Sequence, residues 1–449
     1  MFLLHSDVLV IGGNAAGIAA ALTARRQYPD KSVSLVRPED RVLISCGIPY
    51  VFGTLGSPEK NFISNEILEN NGIKLFKGLA TRIDRENRLV EMENGDTLGF
   101  EKLVLATGSN PAINPIPGFD LKNIFTVQKD TDALRELQKR LEESEKLAIV
   151  GGGFIGVSLA DQFKAAKVAE VTIVTELEHC LADSFDEEFC VAAERKLTER
   201  GVRFETGQRI EELTGTGAVD TIVLENGSQL AADTLVFAVG AVANSKLAKD
   251  SGLELGATGG VAVDRNMQTS DPAIFACGDC AEKVGFFGGK PTAIKLASIA
   301  CAEARVAGAN LFGIRRENAG TMDAWSTAVG DLYLSRVGLT ASAARGAGYD
   351  CVTGSVTEPD RHPPEMPGAV DTTVKLVFER RTNVLIGAQL MGSTAVGEMT
   401  NVLSACIKHR MNIDDIATFQ FATHPSMTSS PLTHQTVNAA EMAHEKTRQ

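Results

Sequence analysis

The segment "KLAIVGGGFIGVSLADQF", Lys146 to Phe163, constrains the fold most tightly. A run of strand-forming residues leads into Gly151, Gly153 and Gly156 in G-x-G-x-x-G spacing, followed by a helix-forming stretch. That order describes strand, tight turn and helix, with the free N–H groups and positive dipole end of the helix directed at the pyrophosphate of a dinucleotide. "VTIVTE" supplies the next strand. Glu176, or Thr175 before it, stands where an acid would accept hydrogen bonds from the adenosine ribose. No lysine or arginine follows Glu176 before the Arg195–Lys196 pair, which favours NADH over NADPH.

A looser copy opens the chain. "DVLVI" runs into "GGNAAG" and the Ala-rich "IAAALTARR". Gly12 permits the turn and Gly17 permits close packing of helix on strand, while Asn14 occupies the middle glycine position and Ala16 lies within the turn. The following strand, "VSLV", ends in Arg37, Pro38 and Glu39, so the ribose-binding acid is displaced to Glu39. Two such units imply two dinucleotides.

A chain of 449 residues exceeds what one hydrophobic core supports, so two or three domains are expected. With 44% hydrophobic and 22% charged residues it has the composition of a folded chain. The net charge of −13 argues against nucleic acid or anionic lipid as partner. No stretch approaches the roughly 20 apolar residues of a membrane span, and "MFLLHSDVLVIGG" reads as a strand, without the features of a secretory signal. A cytoplasmic protein is expected. Eight scattered cysteines fit a reduced chain, and none has structural-zinc spacing, so no metal is expected.

One cysteine stands apart. Cys46 lies in "LISCGIPYVFG" with no second cysteine nearby, the next being Cys180. It is either a small core residue or a reactive thiol. A reactive thiol needs surroundings that favour the thiolate, and a helix following Cys46 is expected to supply part of them. Its oxidised form must then involve an external partner: a mixed disulfide, a persulfide or a sulfenic acid. "CGDC" has C-x-x-C spacing, but no thioredoxin-like entry precedes it, so Cys277 and Cys280 read as core.

"LVLATGS" (Leu103 to Ser109), the complete second glycine motif and "IFACGDCAE" (Ile274 to Glu282) occur in an order that resembles the flavin-dependent pyridine nucleotide–disulfide oxidoreductases. The similarity covers nearly the whole chain. With "SCGIPY" it looks most like the single-cysteine branch of coenzyme A disulfide reductases, polysulfide and persulfide reductases, and NADH oxidases and peroxidases. The resemblance implies an α/β fold: two Rossmann-like domains binding FAD and NAD(P)H, plus a C-terminal α/β dimerisation domain. The implied boundaries are 1–112 and 245–318 for FAD, 113–244 for NAD(P)H, and 319–449 for the interface of a homodimer. It further implies that Thr107 and Gly108 line the FAD site and that Asp279 binds the ribityl–phosphate region. Electrons would pass from NADH or NADPH through FAD to Cys46, and from there to a small sulfur substrate, with coenzyme A disulfide or polysulfide foremost. The alternatives are an NADH oxidase or peroxidase cycling through a sulfenic acid, and a reductase of a small carrier such as rubredoxin.

Several positions depart from the pattern. Oxidases and peroxidases of this branch carry a histidine where this chain has Ala15, and "GGNAAG" instead resembles the coenzyme A enzymes. Those enzymes commonly have "SFANC", against "VLISC" here, with Val42 replacing the serine, and their C-terminal tyrosine is not evident. Arg25 and Arg26 stand where that group places residues meeting coenzyme A phosphates, though a solvated helix end is an equal reading. "THPSMTSS" begins like the motif that sends a catalytic histidine across the dimer interface, which makes His424 a candidate acid–base, but Ser429 replaces the orienting glutamate. Ser158 replaces a glutamate that lies near the nicotinamide in relatives. "RELQKRLEESEK" reads as a charged helix and "PDRHPPEMPG" as a surface loop.

Overall fold

The computed structural model describes residues 3–113 and 115–448. Described residues within 1–114, 126–139 and 240–321 form one compact unit, and those within 115–125, 140–239 and 322–449 form another.

In the first unit, β1 (Leu3–Ile11) leads into α1 (Ala15–Gln27) and then β2 (Val33–Arg37). β2 is buried throughout, as expected of a parallel strand covered on both faces. Strands β3 (Lys74–Lys77), β4 (Ala80–Asp84), β5 (Leu89–Met92) and β6 (Thr97–Leu105) complete the path, in the spatial order β3-β2-β1-β6-β5-β4. β1 pairs in parallel with both β2 and β6, and this places the β1–α1 turn at the carboxyl edge of the sheet, where open α/β sheets bind ligands.

In the second unit, β7 (Lys146–Val150), α2 (Phe154–Ala165), β8 (Glu170–Val174), α3 (Glu187–Glu199), β9 (Val202–Glu205) and β10 (Thr234–Phe237) repeat the plan. The sheet order is β10-β7-β8-β9, with an outer strand at Ile124–Thr126, and the β7–β8, β7–β10 and β8–β9 pairs are parallel.

The chain then re-enters the first unit. β11 (Ile274–Ala276) joins β6 in parallel, and α4 (Ala297–Asn310) packs along α1. Close packing is enforced at Gly308, where a Cβ would lie 2.6 Å from the Ala20 carbonyl oxygen. The Tyr28 hydroxyl donates to the Ala309 carbonyl at 2.5 Å.

The C-terminal part of the second unit is an antiparallel five-stranded sheet, in the order β12 (Ala324–Val329), β13 (Leu332–Gly338), β16 (Leu385–Gly392), β15 (Asp371–Glu379), β14 (Cys351–Pro359). Helices α5 (Ala395–Lys408) and α6 (Gln435–Thr447) pack on it. The Pro-rich loop falls between β14 and β15, and the charged stretch is a helix, Thr131–Glu143, with Leu134, Leu137 and Leu141 buried. Among the described residues no helix is long and apolar enough to cross a membrane.

Candidate functional site

The first glycine turn is dictated by contact. Gly12 has φ +107°, and a Cβ there would lie 2.1 Å from the Ala106 carbonyl oxygen; one on Gly17 would lie 1.9 Å from the Gly12 carbonyl oxygen. Asn14 caps α1, its Oδ1 accepting from the Ala15 N–H at 2.8 Å. Its Nδ2 donates to the Leu43 carbonyl at 3.1 Å and lies 3.2 Å from the Ser45 hydroxyl. Asn14 therefore ties the turn to the segment carrying Cys46, a bond no glycine could make. The helical ladder starts with Ile18 N–H to Asn14 C=O at 3.0 Å, which leaves the N–H groups of the first turn, including Ala16 and Gly17, at the helix mouth.

The helix expected after Cys46 is instead two single 3₁₀ turns, Ser45–Gly47 and Pro49–Val51. Gly47 and Pro49 end the first turn before any dipole accumulates, so the expected helix-dipole support for the thiolate is absent. The turn is nonetheless fixed. Ile44 N–H donates to the Asn61 carbonyl at 2.9 Å, and Asn61 Nδ2 donates to the Ile44 carbonyl at 3.0 Å. A Cβ on Gly47 would lie 2.1 Å from Asn61 Oδ1. Held between Asn14 and Asn61, Cys46 is exposed with an unpaired thiol.

The opposite wall comes from the returning chain. Asp279 sits on the short turn Gly278–Cys280, where its Oδ2 accepts from the Ser109 hydroxyl at 2.8 Å and from Lys129 Nζ at 3.4 Å. Gly278, with φ +76°, packs so close to α1 that a Cβ would lie 2.6 Å from the Ala16 methyl. Its N–H donates to Glu303 Oε2 at 2.9 Å. Lys283 reaches the same oxygen at 3.2 Å, both side chains being 2% exposed. Burial pushes the Glu303 carboxyl up while Lys283 draws it down. Thr107 Oγ1 donates to the Asn244 carbonyl at 2.6 Å, and Gly108 has φ +73°.

A second thiol lies in this neighbourhood. Cys301 Sγ is 3.7 Å from the Ala15 carbonyl oxygen, one residue along from the cap that holds Ser45. Burial raises its pKa, Arg305 lowers it and Cys46 raises it further. Half-buried and biased toward the neutral thiol, Cys301 is a poorer nucleophile than exposed Cys46. Cys301→Ser is expected to keep turnover within about threefold, as suits a thiol outside the chemistry, and steady-state assays on a sulfur acceptor check this.

Other expected residues are placed differently. Glu39 is exposed two residues beyond β2, while Arg37 at the strand end is buried against Gly13 and donates to the carbonyls of Glu39 and Asp40, each at 2.9 Å. Arg25 donates to the carbonyls of Pro29 and Lys31 in the loop that follows its helix, and Arg26 is exposed. Both lie at the far end of α1 from the turn, about 15 Å along the helix. Cys277 and Cys280 are fully buried, and burial raises both thiols, in keeping with core residues.

The second glycine turn repeats the first. Gly151 has φ +110°, and a Cβ would lie 2.6 Å from the Ala238 carbonyl oxygen; a Cβ on Gly156 would lie 1.9 Å from the Gly151 carbonyl oxygen. Gly153 caps α2 and faces open space. Beside it, Phe154 stacks on Trp325 at 4.3 Å, and the Ser158 hydroxyl lies 3.5 Å from that of Thr327. Thr175 is buried and Glu176 is the first exposed carboxylate past β8. The sequence showed no base near Glu176, but the fold supplies one: Arg209 Nε and Nη2 bond its two carboxylate oxygens, each at 3.0 Å.

His424, in the second unit, is exposed. Its Nδ1 accepts from the Ser426 N–H at 3.3 Å and lies 2.9 Å from the Ser426 hydroxyl, so the ring proton sits on Nε2. Ser429 is buried and bonded to Gln435, not to the imidazole. The imidazole is oriented by Ser426.

Two mononucleotide-binding halves, an exposed thiol beside one of them and an antiparallel C-terminal sheet define a two-nucleotide redox flavoprotein architecture. The chain belongs to the pyridine nucleotide-disulphide oxidoreductase family, whose main description matches residues 6–304 and whose dimerisation domain matches 325–434. It is 32% identical over 402 residues to the NAD(P)H coenzyme A polysulfide/persulfide reductase of Pyrococcus horikoshii, covering 87% of this chain and 88% of that protein. It is 28% identical over 431 residues to an NADH oxidase of Enterococcus faecalis, covering 93% and 95%. The solved NAD-dependent persulfide reductase from A. fulgidus superposes with a TM-score of 0.91 at 31% identity, over 99% of this chain and 83% of that one. The family works with FAD and NAD(P)H. The first turn fits FAD: a helix mouth free of acidic residues, cradled by glycines that no Cβ could replace, with Asp279 brought to its rim.

Proposed function

We propose that this protein uses NAD(P)H to reduce a sulfur–sulfur bond at Cys46, with coenzyme A disulfide or persulfide and inorganic polysulfide as its substrates. The observation that carries this reading is the exposed Cys46 thiol, pinned by Asn14 and Asn61 at the mouth of the first glycine turn. In this reading Gly12, Asn14, Ala16, Gly17, Thr107, Gly108 and Asp279 hold FAD, and Gly151, Gly153, Gly156 and Glu176 hold NAD(P)H. Domain boundaries near residues 112, 244 and 318, a homodimer built on the C-terminal sheet, and a cytoplasmic setting belong to the same reading; the eight unpaired cysteines support the last.

When bound, FAD supplies the two-electron relay between nicotinamide and sulfur. Cys46, as thiolate, attacks one sulfur of R–S–S–R′, forming Cys46–S–S–R and releasing R′S⁻, which takes a proton. Two electrons from NAD(P)H and one proton then free RSH and return Cys46 to the thiolate. As the imidazolium, His424 donates its Nδ1–H to the Ser426 hydroxyl, 2.9 Å away, and carries a second proton on Nε2; we assign that proton as the one given to a leaving thiolate, which leaves the neutral ring. His424→Ala is expected to lower kcat on a sulfur acceptor about tenfold or more; steady-state turnover within about twofold of wild type removes His424 from the chemistry.

The test is anaerobic NADH consumption at 340 nm with coenzyme A disulfide, polysulfide and hydrogen peroxide offered separately. Turnover on a sulfur acceptor supports the reading. Turnover on peroxide alone favours an oxidase or peroxidase, the reading that several relatives' names support and that Ala15, with no acid–base group, opposes. Turnover on none of the three points to a carrier protein as acceptor.

A further inference from the structure

Glu176 and Arg209 are 33 residues apart in the sequence, and the fold sets them face to face past the end of β8. The Gly207 N–H donates to the Leu177 carbonyl at 2.8 Å and the Gln208 N–H to the Thr175 carbonyl at 3.0 Å, so the loop after β9 runs alongside the residues that follow β8. A third bond, from the Glu225 N–H to the Arg209 carbonyl at 2.9 Å, fixes the arginine backbone. The two side chains are 66% and 62% exposed, so the pair contributes little to stability and is accessible to a ligand.

The chemistry of the pair is specific. A carboxylate past the second strand of a mononucleotide-binding unit accepts from ribose hydroxyls and repels a 2′-phosphate, whereas a guanidinium binds a phosphate through paired charge-assisted hydrogen bonds. Here both groups occupy one place and each is the other's partner.

We infer that Glu176 and Arg209 form an exchangeable pair at the ribose end of the second nucleotide turn, through which the protein accepts both nucleotides: Glu176 serves NADH and Arg209 takes the 2′-phosphate of NADPH. This rests on the second turn being the NAD(P)H site. The pair is neutral overall, so neither nucleotide meets an uncompensated charge. Binding NADPH replaces one anionic partner of Arg209 by another, and binding NADH leaves the salt bridge partly in place.

The test is isothermal titration of the flavin-loaded protein with 5′-AMP and 2′,5′-ADP, alongside kcat/KM for NADH and NADPH. Wild type is expected to bind both analogues and turn over both nucleotides. Arg209→Gln is expected to weaken 2′,5′-ADP and lower kcat/KM for NADPH about tenfold, changing 5′-AMP and NADH less than about threefold. Glu176→Gln is expected to shift both ratios the other way. An Arg209→Gln variant with unchanged ratios, while both analogues still bind, overturns the pair and leaves the nucleotide site standing. A wild type that binds neither analogue defeats the assignment of the second turn itself, and the pair with it.

Discussion

Cys46→Ser is expected to abolish reduction of sulfur acceptors, by at least about a thousandfold, while the protein retains its flavin. The expectation follows from what holds the residue. The Cys46 turn is positioned by Asn14 and Asn61 through bonds to Leu43, Ser45 and Ile44 and by the close approach of Gly47 to Asn61, so the smaller serine fits the same conformation. The only change is from a sulfur nucleophile, able to accept and return a sulfur bond, to a hydroxyl that cannot be cycled between thiolate and disulfide. NADH consumption with coenzyme A disulfide or polysulfide, together with the flavin absorbance spectrum, checks both halves of the statement. Undiminished sulfur reduction in a flavin-loaded Cys46→Ser variant would transfer the chemistry to another group.

Gly17→Val is expected to empty the flavin site. A Cβ at Gly17 would stand 1.9 Å from the Gly12 carbonyl oxygen, a backbone atom, so α1 must lift away from the turn it caps. Overpacking of this kind costs about 3 kcal/mol or more, and if it falls on the loaded state it lowers flavin affinity roughly a hundredfold. Gly153→Ala provides the contrast, because a Cβ there meets nothing within 4 Å, and the variant is expected to fold and keep its flavin. The ratio of flavin to protein absorbance after gel filtration is the readout. A Gly17→Val protein that purifies at the wild-type ratio would mean that the turn relaxes without cost.

The two glycine turns were legible because their constraints are local: a strand, a turn that a Cβ would block and a helix occupy some 20 consecutive positions. The charged helix of "RELQKRLEESEK" was legible for the same reason. What stayed hidden depends on long-range pairing. Nothing around Glu176 announces Arg209, whose place is set by the parallel pairing of β8 with β9. Asn14 read as a defect in the fingerprint, and its bonds to Leu43 and Ser45 become visible only when the two loops meet. The 3₁₀ turns at Cys46 had a local signal, Gly47 followed by Pro49, which outweighs the expectation of a helix there.

The contact between Gly278 and Ala16 bears on the order of biosynthesis. The wall of the first site is assembled from the first residues of the chain and from residues beyond 270, with β11 completing the sheet beside β6 and α4 lying along α1. During translation α1 emerges well before its packing partner α4, and β6 well before β11, and the buried Lys283–Glu303 pair forms only when Glu303 has been added. By then the whole of 140–239 has already been synthesised. With FAD held at the first turn, as proposed, a nascent chain truncated before α4 is expected to carry no flavin.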